Sequence, residues 1–265
     1  LDGNLDLVVA YKEQSTRVYY HTGTATPFSE ETGIDVSSES FNVLTMASAD
    51  ITGNGYPDVV LGTDGFNVMI VNFGPPEFIV SPSSLLITEA SAETNGLALE
   101  DVDRDGDMDV IAFNDTSPSH LILNSGQVEP FKVNDDHVVP LELDDGSSEI
   151  QAGMLADLNG DGWLDIVVAN RSAPDFWIAH QPDQANPFLN STPTPLASYT
   201  NFSSGIDVGD VDLDGDLDVI ISNDAAPVQL YLNQANPVEE AIAHPDLDAV
   251  TANVRAGVAH DLDYD

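Results

Sequence analysis

The chain has 265 residues and is strongly acidic, with 46 Asp and Glu against 6 Lys and Arg and a formal net charge of −40. No nucleic-acid partner is predicted, and anionic membrane surfaces are disfavoured, because binding phosphates requires a cationic surface that this chain lacks. The absence of cysteine excludes disulfides, zinc–thiolate sites and a cysteine nucleophile. No run of about 18 apolar residues occurs, so no membrane insertion is predicted.

The first residues carry no signal-peptide pattern, and the chain opens at Leu1 inside a motif that recurs further along. We therefore expect a mature or excised part of a longer protein. The hydrophobic fraction of 42% is ordinary, so the acidity does not indicate disorder.

A nine-residue acidic motif, Asp-x-Asp-x-Asp-Gly-x-x-Asp, organises the chain. Four complete copies lie at residues 50–58, 101–109, 157–165 and 210–218, and half copies lie at 1–6 and 261–265. The fifth motif positions are 52, 51, 56, 53 and 51 residues apart, at Asp2, Asn54, Asp105, Asp161, Asp214 and Asp265. A period near 50 residues is typical of one four-stranded propeller blade.

Each period predicts the same order of strands. A strand such as 205–209 enters the motif, and short apolar β-branched runs leave it, at 6–10, 58–61, 109–112, 165–169 and 218–222. Such continuous runs are typical of strands buried on both faces. Third strands are predicted at segments such as 120–124 and 228–233, and the fourth strand near Pro-Phe segments such as 130–133, where proline suits an edge strand.

The sequence thus predicts an all-β fold, a β-propeller of four-stranded blades with about five blades in this chain. We expect residues 1–265 to form a single propeller domain or segment. The approximate repeats are 1–49, 50–100, 101–156, 157–209 and 210–265.

Two ring closures are compatible with this phase of the repeat. In a closed five-bladed ring, the segment 251–259 would complete the blade begun at Leu5, and the two half motifs would share one loop. In the other arrangement, the chain is part of a seven- or eight-bladed ring. The larger ring is favoured, because a natural domain rarely ends inside its own metal loop.

The motif predicts calcium sites. Carboxylates at positions 1, 3 and 5 of a tight loop converge on one point, Gly at position 6 permits the turn, position 7 offers a carbonyl and position 9 another carboxylate. Six or seven oxygen ligands suit Ca²⁺ better than Mg²⁺. Two carboxylates about 4 Å apart repel by roughly 1 kcal/mol in water and about 4 kcal/mol at an effective dielectric near 20, which a bound cation would offset.

A single Asp-Gly run is equally explained as a solvated turn, but four complete copies in phase favour metal binding. We predict four complete Ca²⁺ sites, with a fifth from the terminal half motifs as an open alternative. The loops starting at Asp101 and Asp210 should bind most tightly, and the loop at Asp50 most weakly, because it has only two acidic ligands. Position 7 should bind through its carbonyl, with the side chains of Asp107 and Asp216 in solvent. The predicted ligands are Asp50, Thr52, Asn54, Tyr56, Asp58, Asp101, Asp103, Asp105, Asp107, Asp109, Asp157, Asn159, Asp161, Trp163, Asp165, Asp210, Asp212, Asp214, Asp216 and Asp218, and at the termini Asp2, Asp6, Asp261, Asp263 and Asp265.

The acidic motif followed by Val-Ile-Ile-Ser-Asn and then Gln-Leu-Tyr-Leu-Asn resembles the FG-GAP/VCBS repeats of integrin α-subunit propellers and many secreted proteins. The resemblance covers the chain once per period. It implies a propeller with one calcium per hairpin between the first two strands of a blade, all on one face. The Phe-Gly…Gly-Ala-Pro half of the motif has only a distant counterpart at residues 72–76, so an integrin-like mode of ligand binding is not implied.

For function, the sequence favours a calcium-stabilised structural or recognition module, secreted or at a cell surface. Its partner would be a protein or glycan on a cell surface or in the extracellular matrix, with self-assembly or neighbouring domains of a longer chain as further options. One alternative is a calcium-dependent lectin, and another is the non-catalytic propeller of a polysaccharide-active enzyme. A lectin would use aromatic stacking platforms, for which the candidates are Tyr56, Trp163, Trp177 and Tyr264.

No enzyme activity is predicted, because the chain has no Gly-x-Ser-x-Gly elbow, no His-Glu-x-x-His and no cysteine. Four Asn-x-Ser/Thr sequons are candidate glycosylation sites, and chance matches are an equal alternative. They begin at Asn114, Asn170, Asn190 and Asn201.

Overall fold

The computed structural model describes residues 3–28, 33–36, 40–74, 78–79, 92–115, 117–126, 131, 138–141, 143, 149–182, 184, 186–189, 191–196, 202–224 and 226–233. Within these residues every regular element is a β-strand. No helix in this part of the chain is long and apolar enough to cross a membrane.

The strands fall into five antiparallel sheets that correspond to successive blades. Blade 1 contains β1 (Leu7–Val9), β3 (Arg17–Tyr19) and β4 (Ile34–Asp35). Blade 2 contains β5 (Phe41–Ala49), β6 (Asp58–Thr63), β7 (Val68–Asn72) and β8 (Phe78–Ile79), with β2 (Lys12–Gln14) added at the free edge of β5. Blade 3 contains β9 (Thr94–Glu100), β10 (Asp109–Asn114), β11 (Ser119–Ile122) and β12 (Val138–Leu141). Blade 4 contains β13 (Ile150–Ala156), β14 (Asp165–Asn170), β15 (Phe176–Ile178) and β16 (Thr194–Pro195), and blade 5 contains β17 (Ser203–Gly209), β18 (Asp218–Asn223) and β19 (Gln229–Tyr231). The predicted all-β propeller of four-stranded blades is confirmed.

The second strands of blades 2 to 5 are almost wholly buried, as their unbroken apolar sequences predict. Every residue of β6, β10 and β14 is buried, because these strands pair on both edges and pack against neighbouring blades on both faces. The first strands β5, β9, β13 and β17 lie side by side in successive blades. Each carries a β-bulge at the same place, opposite the end of the second strand.

Apolar clusters between neighbouring blades form the core. Four clusters fill the four junctions between blades 1 and 5. The junction between blades 3 and 4 is centred on Phe113, which is completely buried. Because each cluster draws its residues from two blades, a blade is stabilised mainly by its neighbours.

One predicted strand position was wrong. The fourth strand of blade 3 is β12, Val138–Leu141, paired with β11, and not the segment 130–133. Of that segment the structure describes Phe131, which is buried in the junction between blades 2 and 3. Burying Phe131 against the neighbouring blade competes with placing it in an edge strand, and the Pro-Phe signal did not distinguish the two. Proline at the outer strands is confirmed by Pro140 in β12 and Pro195 in β16.

The C-terminal end of the chain, residues 234–265, lies outside the described residues. The segment 251–259, predicted to complete blade 1 in a five-bladed ring, is part of this end. The two ring closures therefore remain predictions, as does the assignment of 1–265 to a single domain.

We predict that Gly153→Ala destabilises the protein by about 1 to 3 kcal/mol through overpacking. A Cβ at Gly153 of β13 would lie 2.5 Å from ring atoms of Phe113 in β10. Denaturant unfolding of G153A, F113L and the double variant measures the coupling between the two sites. The glycine substitution should cost less in the F113L background, and equal costs in both backgrounds would contradict this packing.

We also predict a pH-dependent gain in stability for Asp175→Asn. Asp175 precedes β15 and is 4% exposed. Its Oδ1 accepts the N–H of Asn170 at 2.8 Å, and its Oδ2 accepts the hydroxyl of Ser203 in blade 5 at 3.0 Å. Burial raises the pKa of Asp175 from 3.8 to about 6. Blade 2 has Asn67 at the equivalent position, where its Oδ1 accepts the N–H of Thr63 at 3.2 Å.

The raised pKa means that the folded state binds the proton more tightly than the unfolded chain does. The stabilisation from Asp175 is therefore fully present below about pH 4 and is lost as the pH rises through about 6. D175N should raise the free energy of unfolding by about 2 to 3 kcal/mol above pH 7 and leave it unchanged near pH 4. An equal effect of the substitution at both pH values in denaturant titrations would contradict this origin.

Candidate metal centres

Four acidic loops join the first and second strands of blades 2 to 5. They are named here by blade: loop 2 (residues 50–58), loop 3 (101–109), loop 4 (157–165) and loop 5 (210–218). Position 6 of each is a glycine with positive φ, namely Gly55, Gly106, Gly162 and Gly215. Position 4 is also left-handed in all four loops, as Gly53, Arg104, Gly160 and Leu213. These two left-handed residues fold the loop tightly enough to bring alternate side chains together.

The aspartate at position 1 anchors the far side of each loop. Its Oδ2 accepts the N–H of the position-6 glycine in all four loops, at 2.8 to 3.1 Å. In loops 2 to 4 its Oδ1 accepts the N–H of position 5, at 3.0 to 3.1 Å. The side chain at position 5 in turn accepts the N–H of position 7, at 2.8 to 3.0 Å. The loop backbone therefore wraps around the carboxylates.

The aspartate at position 9 ties its loop to the rest of the blade. Its Oδ2 accepts the N–H of position 2, at 2.8 to 3.1 Å. Its Oδ1 accepts the N–H of a residue that ends or follows the third strand, at 2.8 to 2.9 Å. Asp6 accepts the N–H of His21 at 2.8 Å in the same way, so the half motif of blade 1 keeps this part of the pattern. The four position-9 aspartates of loops 2 to 5 are at most 1% exposed.

The same third-strand residue also connects loops 3, 4 and 5 to the preceding loop. The side chains of Asn124, His180 and Asn233 lie 2.8, 2.9 and 2.6 Å from the position-2 carbonyl oxygens of the preceding loops. These carbonyls belong to Ile51, Val102 and Leu158, which are 2–3% exposed. This role was not predicted from the sequence, although an asparagine recurs at or after the end of the third strand, at residues 72, 124 and 233. The hydrogen bonds form an unbroken chain from loop 2 to loop 5.

Carboxylate oxygens of positions 1, 3 and 9 come together in two loops. In loop 3 they belong to Asp101, Asp103 and Asp109, and in loop 5 to Asp210, Asp212 and Asp218. Within each group the ligand atoms lie within 4.8 Å of one another. In loop 5 the Oδ1 of Asp210 is buried and has no hydrogen-bond partner among the described residues. A convergent set of oxygens with one lacking a donor fits a hard cation.

The pKa values of several loop carboxyls are raised, mainly by burial. Burial raises the pKa of Asp109 to about 7 and that of Asp165 to about 6, against the lowering effect of their backbone hydrogen bonds. Burial and the charge of Asp105 raise the pKa of Asp103. Burial also raises the pKa of Asp58. Carboxylates held this way without a counter-charge are costly to ionise.

Loop 2 replaces charge with internal hydrogen bonds. The hydroxyl of Thr52 donates to Asp58 Oδ2 at 3.1 Å, and the amide of Asn54 donates to the carbonyl of Asn72 at 2.9 Å. Loop 4 is intermediate, since Asn159 donates its amide to Asp161 at 3.1 Å. In these two loops, neutral side chains donate hydrogen bonds from positions at which loops 3 and 5 have further carboxylates.

An aromatic and cationic contact joins loops 3 and 4. The guanidinium of Arg104 lies 3.6 Å from the ring centroid of Trp163 and donates to the carbonyl of Gly162. The ring of His180 stacks on Trp163 at 4.4 Å between centroids, and Phe188 packs edge-on against His180. No such contact was anticipated from the sequence, because position 4 of one loop and position 7 of the next are 59 residues apart.

The remaining predicted site residues have mixed outcomes. Asp107 and Asp216 are half-buried, and the carboxylate of Asp107 lies against Gly126. Trp177 is 6% exposed. Asn114 and Asn170 are at most 1% exposed, which is incompatible with a glycan on the folded protein. Outside the described residues lie Asp2, Asn190, Asn201, Asp261, Asp263, Tyr264 and Asp265.

Comparison with known proteins finds sequence similarity over part of the chain. The chain is 26% identical over 172 residues to cartilage acidic protein 1 of Xenopus tropicalis, which covers 63% of this chain. The chain spans only 26% of the length of that relative.

Among solved structures, the fold is similar to that of an Agrocybe aegerita lectin that recognises non-reducing terminal N-acetylglucosamine. The TM-score is 0.58 at 16% identity, covering 90% of this chain and 62% of the lectin. This likeness concerns the fold alone. The model of the FG-GAP-like repeat matches residues 1–61 and 157–221, and both segments contain the acidic motif, in whole or in part. The chain is thus a β-propeller in which two segments match the FG-GAP-like repeat.

Proposed function

We propose that this protein is a calcium-stabilised, extracellular β-propeller that serves as a structural and recognition module. The observation that carries the proposal is the convergence of three carboxylates in loop 3 and three in loop 5. The ion would be held by the side chains at positions 1, 3, 5 and 9 and the carbonyl of position 7. Position 9 keeps the capacity to bind it, because each carboxylate oxygen has lone pairs beyond its one backbone hydrogen bond.

Bound calcium would neutralise carboxylates at the junctions between blades. The position-2 carbonyl of each loop from 2 to 4 is hydrogen-bonded to the next blade, so loop order and blade packing depend on each other. Calcium is therefore proposed as part of the fold, and no catalytic role is assigned to any residue.

The proposed affinities follow the number of charged ligands. Loops 3 and 5, with four acidic ligand positions each, would bind most tightly. Loop 4 would be weaker, and loop 2 weakest, because Thr52 and Asn54 already satisfy their neighbours. Fewer charged ligands lower calcium affinity in oxygen-ligand loops.

The lectin alternative receives little support from the aromatic residues. The ring of Trp163 already contacts Arg104 and His180, and Trp177 is buried in the junction between blades 4 and 5. Neither offers a free platform for a sugar. A protein or glycan partner outside the cell is instead proposed to bind the loops of the propeller, where recognition residues commonly lie.

Removing calcium should destabilise the protein. Each site filled at 100 times its Kd contributes about 2.7 kcal/mol to the free energy of unfolding, because the ion binds the folded state alone. We therefore expect EGTA to lower the melting temperature by many degrees and calcium to restore it. Differential scanning calorimetry measures this directly, and an unchanged melt in EGTA would contradict the proposal.

Asp103→Asn should remove one site and with it about a quarter to a half of the calcium-dependent rise in melting temperature. Asp103 belongs to the converging group of loop 3, and the substitution removes a charged ligand at nearly constant volume. The matched control is Asp64→Asn, which removes the same charge from an exposed residue that accepts the amide of Asn42 at 2.6 Å. Calcium titrations that gave the two variants the same loss would contradict the assignment.

A further inference from the structure

The contact between loops 3 and 4 differs from the other loop junctions. All junctions from loop 2 to loop 5 have the hydrogen bond to the position-2 carbonyl. Within the described residues, the junction of loops 3 and 4 adds a position-4 side chain that reaches the following loop. Arg104 covers the ring of Trp163 and donates to the carbonyl of Gly162, so it contacts positions 6 and 7 of loop 4.

Both contacted residues belong to the part of loop 4 that would face the ion. Trp163 is at position 7, whose carbonyl is a proposed ligand, and its N–H is held by Asp161 at 2.8 Å. Gly162 is at position 6, and its N–H is held by Asp157 at 2.9 Å. Fixing these two residues from outside restricts the backbone that carries the position-7 carbonyl.

Arg104 itself is held by the loop it belongs to. Its φ is 61°, a left-handed conformation that costs a non-glycine residue about 1 to 2 kcal/mol. The equivalent residues of loops 2 and 4 are glycines, Gly53 and Gly160. Asp101, Asp103 and Asp105 lie on both sides of Arg104 in the sequence, and their like charges repel one another. An ion bound in loop 3 would offset this repulsion and restrain the backbone that carries Arg104.

We infer that Arg104 is a positioning residue for the metal loop of the next blade, and that filling loop 3 strengthens binding at loop 4. This inference rests on the proposed binding of calcium by the loops. The filled loop 3 holds Arg104 over Trp163, which orders the ligand carbonyl of loop 4 before its own ion arrives. Pre-ordering lowers the entropic cost of binding, and the coupling is reciprocal by linkage.

The direction of the change in loop 4 affinity distinguishes coupling through Arg104 from direct electrostatic interaction between the two loops. The net charge of loop 3 with one bound Tb³⁺ is −1, counting the side chains of Asp101, Asp103, Asp105 and Asp109. In the Asp101→Asn and Asp103→Asn double variant, loop 3 holds no ion and its two remaining carboxylates give it a net charge of −2. Charge alone would therefore make the variant bind a cation in loop 4 equally or more tightly. The contact through Arg104 predicts weaker binding in the variant.

Tb³⁺ luminescence excited through tryptophan reports on loop 4, because Trp163 lies in that loop. The signal lost in Trp163→Phe defines the loop 4 component. We expect D101N/D103N to weaken Tb³⁺ binding at loop 4 by about fivefold or more. In an Arg104→Ala background the same double substitution should change the affinity less than twofold.

Two further variants act as controls. Leu213→Ala alters the equivalent position of loop 5, where Leu213 is 86% exposed, and should leave the coupling intact. Arg104→Lys keeps the charge and lacks the planar stack, so the coupling should be reduced as in R104A. If R104A or R104K kept the full coupling and gave normal luminescence, the role of the Arg104 contact would be overturned, while the proposed calcium binding would stand. A wild-type protein that binds neither Tb³⁺ nor Ca²⁺ would overturn the proposed function and this inference together.

Discussion

A buried aspartate at the end of each acidic loop is the constraint on which the rest of the structure depends. One oxygen holds the start of the loop, and the other holds a residue at the end of the third strand. In loops 3 to 5 that residue also reaches the preceding loop through its side chain. The aspartate of these three loops thus links a loop, a sheet and a neighbouring blade, which explains why it is buried although it carries a charge. An isolated buried carboxylate would be costly, whereas one with several donors and a nearby cation is stable.

The loops are therefore part of the packing between blades. Their position-2 residues are buried at the junctions, and the junction clusters draw on two blades each. Val211 supports this view, because the equivalent residue of blade 5 is 44% exposed where the described residues place no following blade. The proposed cation binding and the blade packing would then depend on the same residues, which is the physical reason to expect a fold that loosens when the ion is removed.

The sequence predicted most of the fold, because the features that determine it are local. The acidic motif and the apolar runs that follow it recur at a period near 50 residues, and the second strands, such as Asp109–Asn114, lie where those runs predict. The predicted position of the fourth strand of blade 3 was wrong, because Phe131 packs between blades and the strand lies further along the chain, at β12. Contacts between repeats could not be predicted. Arg104 on Trp163 and His180 at the carbonyl of Val102 join residues 59 and 78 positions apart, and only the order of blades brings them together.

The most direct test is a crystal structure grown in calcium, with an anomalous difference map to locate the ions. The account predicts a peak in loops 3 and 5, each with oxygen ligands at about 2.3 to 2.6 Å from positions 1, 3, 5, 7 and 9. Loops without a peak, with the carboxylates of Asp103 and Asp212 turned into solvent, would contradict the central claim that a divalent cation holds these loops together.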